Sequence, residues 1–104
     1  MNEIKSEIIR FQKERDWKKF HTPENLAKSI SIEAAELLEH FQWGEEYDVD
    51  EVAEELADVL IYSLYMADAL DLDVKEIILD KMNKNAMKYP VEKSRGNATK
   101  YTEF

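Results

Sequence analysis

Cysteine is absent from the 104 residues, which excludes disulfides, thiolate metal sites and thiol nucleophiles together. Glycine and proline occur only twice each, so turns are few and helix-forming runs fill most of the chain. No run of about 18 apolar residues exists to cross a bilayer, and Met1 to Arg10 carries no apolar leader stretch. Positive charge is scarce. The 14 Lys and Arg stand against 23 Asp and Glu, for a formal charge of −9. Nucleic-acid affinity rests on a basic footprint that releases counterions, so that partner is disfavoured. The 44% hydrophobic and 11% aromatic content suffices for a core despite 36% charged residues. These limits leave a soluble, cytoplasmic, all-α protein with neither a membrane nor a nucleic acid as partner.

Four helices and a tail are predicted, with no internal repeat or linker: residues 1–90 form one four-helix domain and 91–104 its basic C-terminal tail. The first helix, roughly Asn2 to Trp17, places Ile4, Ile8 and Phe11 on one face. The second begins at a Thr22 cap with Pro23 in the first helical position, and runs to about Trp43, where Gly44 stops it. Asp48 and Glu51 have capping-box spacing for a third helix reaching about Leu70, and Asp73 and Glu76 repeat it for a fourth ending near Lys88. Short connections predict antiparallel neighbours. From Leu56 to Leu72 apolar side chains point to nearly every side, and a chain this small can hardly surround such a helix. An obligate oligomer that completes the core is expected.

The charges are segregated. Between Glu33 and Asp58 lie eleven acids and no Lys or Arg, whereas Lys81 to Tyr101 holds six basic residues and one acid, Glu92. A solvated acidic face and a solubilising tail would account for this, but position argues otherwise. With about 100° per residue, Ile30, Leu37 and Phe41 fall within roughly 60° of Leu26, and Glu33 lies inside that apolar stripe. Glu36 borders it. On the third helix Glu55 flanks Val52, Leu56 and Val59, and Asp58 has Ile61, Tyr62 and Tyr65 as neighbours. An ionised carboxylate buried without a partner costs several kcal/mol. Two i,i+3 acid pairs on adjacent helices therefore suggest hard divalent cations, with about four negative charges against two Mg²⁺, and a polyphosphate ligand. Di-iron bundles need two Glu-x-x-His motifs, and neither His21 nor His40 stands three residues after a Glu. All-oxygen ligation favours Mg²⁺, with Mn²⁺ as a substitute.

Glu33-Ala34-Ala35-Glu36 and Glu55-Leu56-Ala57-Asp58, followed by Val59-Leu60-Ile61-Tyr62, resemble the MazG-like all-α nucleotide pyrophosphohydrolases. Glu14-Arg15-Asp16-Trp17, Phe20-His21, Phe41-Gln42-Trp43, Lys81-Met82 with Asn85, Tyr89-Pro90 and Lys100-Tyr101-Thr102-Glu103 look like the dCTP pyrophosphatase branch. Ile32 departs from the family, standing where a second Glu is frequent; Ile8 replaces a histidine of the vertebrate relatives. The resemblance implies a MazG-like bundle, a homotetramer (dimer of dimers) or a homodimer. It also implies Mg²⁺-dependent hydrolysis of a nucleoside triphosphate, such as dCTP or a related deoxynucleotide, to monophosphate and pyrophosphate. On it, Glu33, Glu36, Glu55 and Asp58 are the catalytic metal ligands, and Trp17 and Trp43 wall the base. His21 borders that pocket, Tyr62, Lys81 and Asn85 approach sugar and phosphates, and Arg95 and Lys100 reach phosphates. The rival readings are a helical oligomer that binds Mg-nucleotide without cleaving it and an acidic interaction module.

Overall fold

The computed structural model describes residues 2–103. Its helices are α1 (Asn2–Glu14), α2 (Pro23–Glu39), α3 (Val49–Ala69), α4 (Val74–Lys88) and the single turn α5 (Val91–Ser94), with 3₁₀ turns at Lys18–Phe20 and Tyr101–Glu103. No strand occurs among the described residues. The all-α expectation holds. Two compact units divide the chain, one holding α1 to α3 and ending at Leu72, the other beginning at Asp73 and holding α4 and α5.

The predicted helix starts are met by side-chain caps. Thr22 Oγ1 accepts the Asn25 amide at 3.2 Å, Asp48 Oδ1 accepts those of Asp50 and Glu51, and Asp73 Oδ1 accepts that of Glu76. Each satisfies an amide that has no carbonyl one turn back. Helix ends were less legible. α1 stops at Glu14 rather than near Trp17, because Asp16 turns left-handed at φ 54°. The Trp17 amide then donates to the Gln12 carbonyl and the Asp16 amide to that of Lys13, a Schellman closure. α3 ends identically: Asp71 has φ 53°, with Leu72 donating to Ala67 and Asp71 to Asp68. α2 stops at Glu39, four residues before the predicted end, as His40 and Phe41 donate to carbonyls three residues back. Gly44 takes φ 126° at the close of the turns that follow. The stretch from residue 91, predicted as a basic tail without a helix of its own among the four, contains α5 and the second 3₁₀ turn.

Within the first unit α2 packs along α3, and α1 also contacts α3. His40 Nδ1 lies 3.9 Å from a Glu51 oxygen beside the connection, and Glu33 meets Glu55 and Asp58 further along. Residues that pair outward from a connection mark antiparallel helices. The buried apolar side chains among the described residues are only Leu26, Tyr65 and Ala67. Leu56 and Leu60 of α3, expected to be covered, are exposed in the single chain.

Candidate functional site

Glu33 leaves α2 toward α3, where Glu55 and Asp58 stand one turn apart. One carboxylate oxygen from each of the three lies within 4.8 Å of the other two. Glu33, Glu36 and Glu55 are half-buried, whereas Asp58, read from its apolar neighbours as part of a buried set, is exposed. The Oε2 atoms of Glu33 and Glu55 are buried and accept no hydrogen bond among the described residues. Nor does any Lys or Arg there form an ion pair with Glu33, Glu55 or Asp58.

Facing carboxylates have no donor between them, so a proton or a cation must enter. Glu55 above all, then burial, then Glu36 push the Glu33 carboxyl up to about 8. A divalent cation supplies the same neutralisation by displacing that proton. Orphaned buried oxygens, an all-oxygen donor set and the lack of a protein cation fit a hard ion such as Mg²⁺ or Mn²⁺. Glu36 stands outside the trio, but its carboxylate faces Glu33 and raises the Glu33 pKa, through hydrogen bonding first and charge second.

An aromatic cluster adjoins the acids. His21 stacks on Tyr65 at 4.8 Å between ring centroids and meets Tyr62 and Trp17 edge-on at 6.2 and 6.3 Å. Tyr62 links the two groups: burial first, then the charges of Glu33, Asp58 and Glu36, hold its hydroxyl above the usual phenol range. Trp17 keeps 42% of its surface open; Phe11 packs edge-on against it at 5.7 Å, and the Arg15 guanidinium lies over the Phe11 ring, 3.5 Å from its centroid. The Schellman turn at Asp16 sets Trp17 in this position, and the Thr22 cap, with Asn25 Nδ2 donating to the Phe20 carbonyl, sets His21.

Other predicted residues lie elsewhere. Trp43 is 91% exposed on the turn after α2 and outside these ring contacts. Lys81 and Asn85 stand one turn apart on α4, and Arg95 and Lys100 follow in the same second unit, all four exposed. Gln12 and Tyr65, by contrast, had no assigned role, yet both belong to the cluster. Gln12 follows Ile8 by four residues, so a polar side chain inside the α1 apolar face was the available signal.

The chain is similar to several known proteins. The chain is 37% identical to mouse dCTP pyrophosphatase 1 over 114 aligned positions, spanning 100% of this chain and 67% of the mouse protein. The human protein of that name is 34% identical over the same span, again 67% of its length. A solved pyrophosphatase structure from Archaeoglobus fulgidus superposes with a TM-score of 0.78 at 46% identity, covering 86% of this chain and 92% of that one. The model of the MazG-like family matches residues 28–104, a stretch that includes both acid pairs. With its helices, its opposed carboxylates and these likenesses in accord, the chain belongs to the MazG-like family.

Proposed function

We propose that this protein is a Mg²⁺-dependent nucleoside triphosphate pyrophosphohydrolase, releasing pyrophosphate and a nucleoside monophosphate from dCTP or a related deoxynucleotide. One observation carries the reading: Glu33, Glu55 and Asp58 converge within 4.8 Å and leave buried oxygens of Glu33 and Glu55 unpartnered. The names and identities of the relatives support the choice of reaction and of dCTP.

In this reading Glu33, Glu55 and Asp58 would hold the cation, and Glu36, just outside the trio, would complete the ligand set. Held by these carboxylates, a divalent ion would supply screening of phosphate charge and polarisation of a phosphoryl oxygen. A carboxylate oxygen not engaged by the ion accepts the proton of the attacking water. Trp17 offers an open face on which a base stacks, with His21 and Tyr62 beside it; such stacking is worth about 1–3 kcal/mol and tolerates any base. Trp43 is proposed as the second wall, and Lys81, Asn85, Arg95 and Lys100 as sugar and phosphate contacts, supported by the family resemblance and by the charge of the three cations. Residues 1–90 would form the catalytic domain and 91–104 its tail. A homodimer or homotetramer is supported by the scarcity of buried apolar side chains. No helix among the described residues is long and apolar enough to cross a membrane, and a cytoplasmic location suits a nucleotide substrate.

The test is direct. Each deoxynucleoside triphosphate is incubated with protein and Mg²⁺, and pyrophosphate is measured with and without chelator. Release that depends on Mg²⁺ and is greatest for dCTP is expected. Nucleotide binding without release in every case would overturn the reading in favour of a sensor.

A further inference from the structure

Gln12 is the buried polar residue of the described chain, with 2% of its surface exposed. Its Nε2 lies 2.6 Å from His21 Nδ1, nine residues ahead, while its Oε1 is buried and has no hydrogen-bond partner. An imidazole nitrogen that accepts a hydrogen bond cannot carry the ring proton, so the partner of one nitrogen decides the state of the other. The opposite arrangement, with the Gln12 amide turned round, would bury its N–H groups without acceptors. Orphaned N–H groups are rarer in proteins than under-satisfied carbonyl oxygens. The ring plane is fixed separately, because His21 stacks at 29° on Tyr65, itself 4% exposed. Burial lowers the His21 pKa from its ordinary value and so favours the neutral ring.

We propose that Gln12 is a positioning residue that locks His21 in the tautomer protonated at Nε2, so that the ring offers the nucleotide a single, fixed hydrogen-bond donor. The proposal rests on the reading of the Trp17–His21–Tyr62 cluster as the base site. Stacking on Trp17 gives affinity for any base, whereas a donor of fixed sense discriminates. It accepts a ligand that presents a lone pair and rejects one that presents an N–H, because two opposed donors are both left unpaired. Tautomer control by a buried amide thus adds selectivity that aromatic surface cannot supply.

The experiment combines spectroscopy with kinetics on the full chain. The ¹⁵N-histidine spectrum of the wild type should place the His21 proton on Nε2. Gln12→Met, similar in length and without hydrogen bonds, should give mixed tautomers. Gln12→Glu, which only accepts, should draw the proton to Nδ1. Both variants should raise KM for the preferred triphosphate about tenfold with little change in kcat. Melting curves verify folding, and the near-isosteric Gln12→Glu carries the test if Gln12→Met does not fold. A wild-type proton on Nδ1, a spectrum indifferent to Gln12→Glu, or an unchanged KM in a folded variant would each overturn the proposal. Failure of the wild type to hydrolyse any triphosphate would fall on the functional reading instead, and the imidazole spectrum would still decide what Gln12 does.

Discussion

Glu33 concentrates the chemistry of the acidic cluster, since its carboxyl is pushed up to about 8 by Glu55, burial and Glu36. The folded state therefore holds a proton that the unfolded chain releases near its ordinary value of 4.5. Where the native state binds the extra proton, stability falls as pH rises. Metal-free protein should be most stable below about pH 4.5 with respect to this group, lose stability up to about pH 8, and change little beyond. Thermal melts across that window check the slope. Added Mg²⁺ should remove it, raising stability by about 2.7 kcal/mol at a hundredfold excess over Kd. Glu33→Gln keeps the shape of the side chain and has no proton to lose. If Glu33 holds the cation as proposed, the variant's melts should be flat through the window and insensitive to Mg²⁺, with activity reduced more than about 100-fold. Near-normal turnover of Glu33→Gln would remove the carboxylate cluster from the mechanism.

At the scale of elements, the two aspartates with left-handed backbones deserve comparison with the caps. Thr22, Asp48 and Asp73 begin helices by a side-chain hydrogen bond that the sequence announces. Asp16 and Asp71 end helices through backbone angles of φ 54° and 53°, where most L-residues are strained. Asp71→Gly should then be neutral or stabilising by up to about 1 kcal/mol, and Asp71→Val should cost about 1–2 kcal/mol, measured by urea unfolding. Asp16→Val should add a functional loss that Asp71→Val lacks, because the closure at Asp16 sets Trp17 against His21. Equal KM values for the two valine variants would show that Trp17 does not depend on that turn.

For the whole molecule, the arithmetic of burial dominates. Leu26, Tyr65 and Ala67 are the buried apolar side chains among the described residues, while Leu56 and Leu60 of α3, Ile32 and Leu38 of α2, and Met87 of α4 are exposed. Apolar side chains exposed on one helix face, such as Leu56 and Leu60 of α3, mark a surface for association. Light scattering should give the mass of a dimer or a multiple of it. Leu60→Glu, which places a charge on the exposed face of α3, should lower that mass and the melting temperature together. A wild-type monomer that melts cooperatively at the same temperature as Leu60→Glu would refute self-association. The surface ion pairs offer no substitute for the missing core: those formed by Arg10, Arg15, Lys19 and Lys28 join exposed groups close in sequence, each worth about 0–1 kcal/mol.

The sequence by itself determined the helices, their capped beginnings, the two acid pairs and the family resemblance, because each depends on residues a few positions apart. A capping side chain meets an amide two or three residues on, and an i,i+3 pair shares a helix face regardless of what packs there. The helix ends at Glu14 and Glu39 escaped because a left-handed Asp16 and a tightening final turn leave no distinctive residue pattern. Only the tertiary structure decided that Glu33 meets Glu55 and Asp58 while Glu36 stands one step back, and that Gln12 lies under His21 rather than in solvent. Those relations turn on how far each helix is rotated against its neighbour, which packing sets and local spacing does not contain.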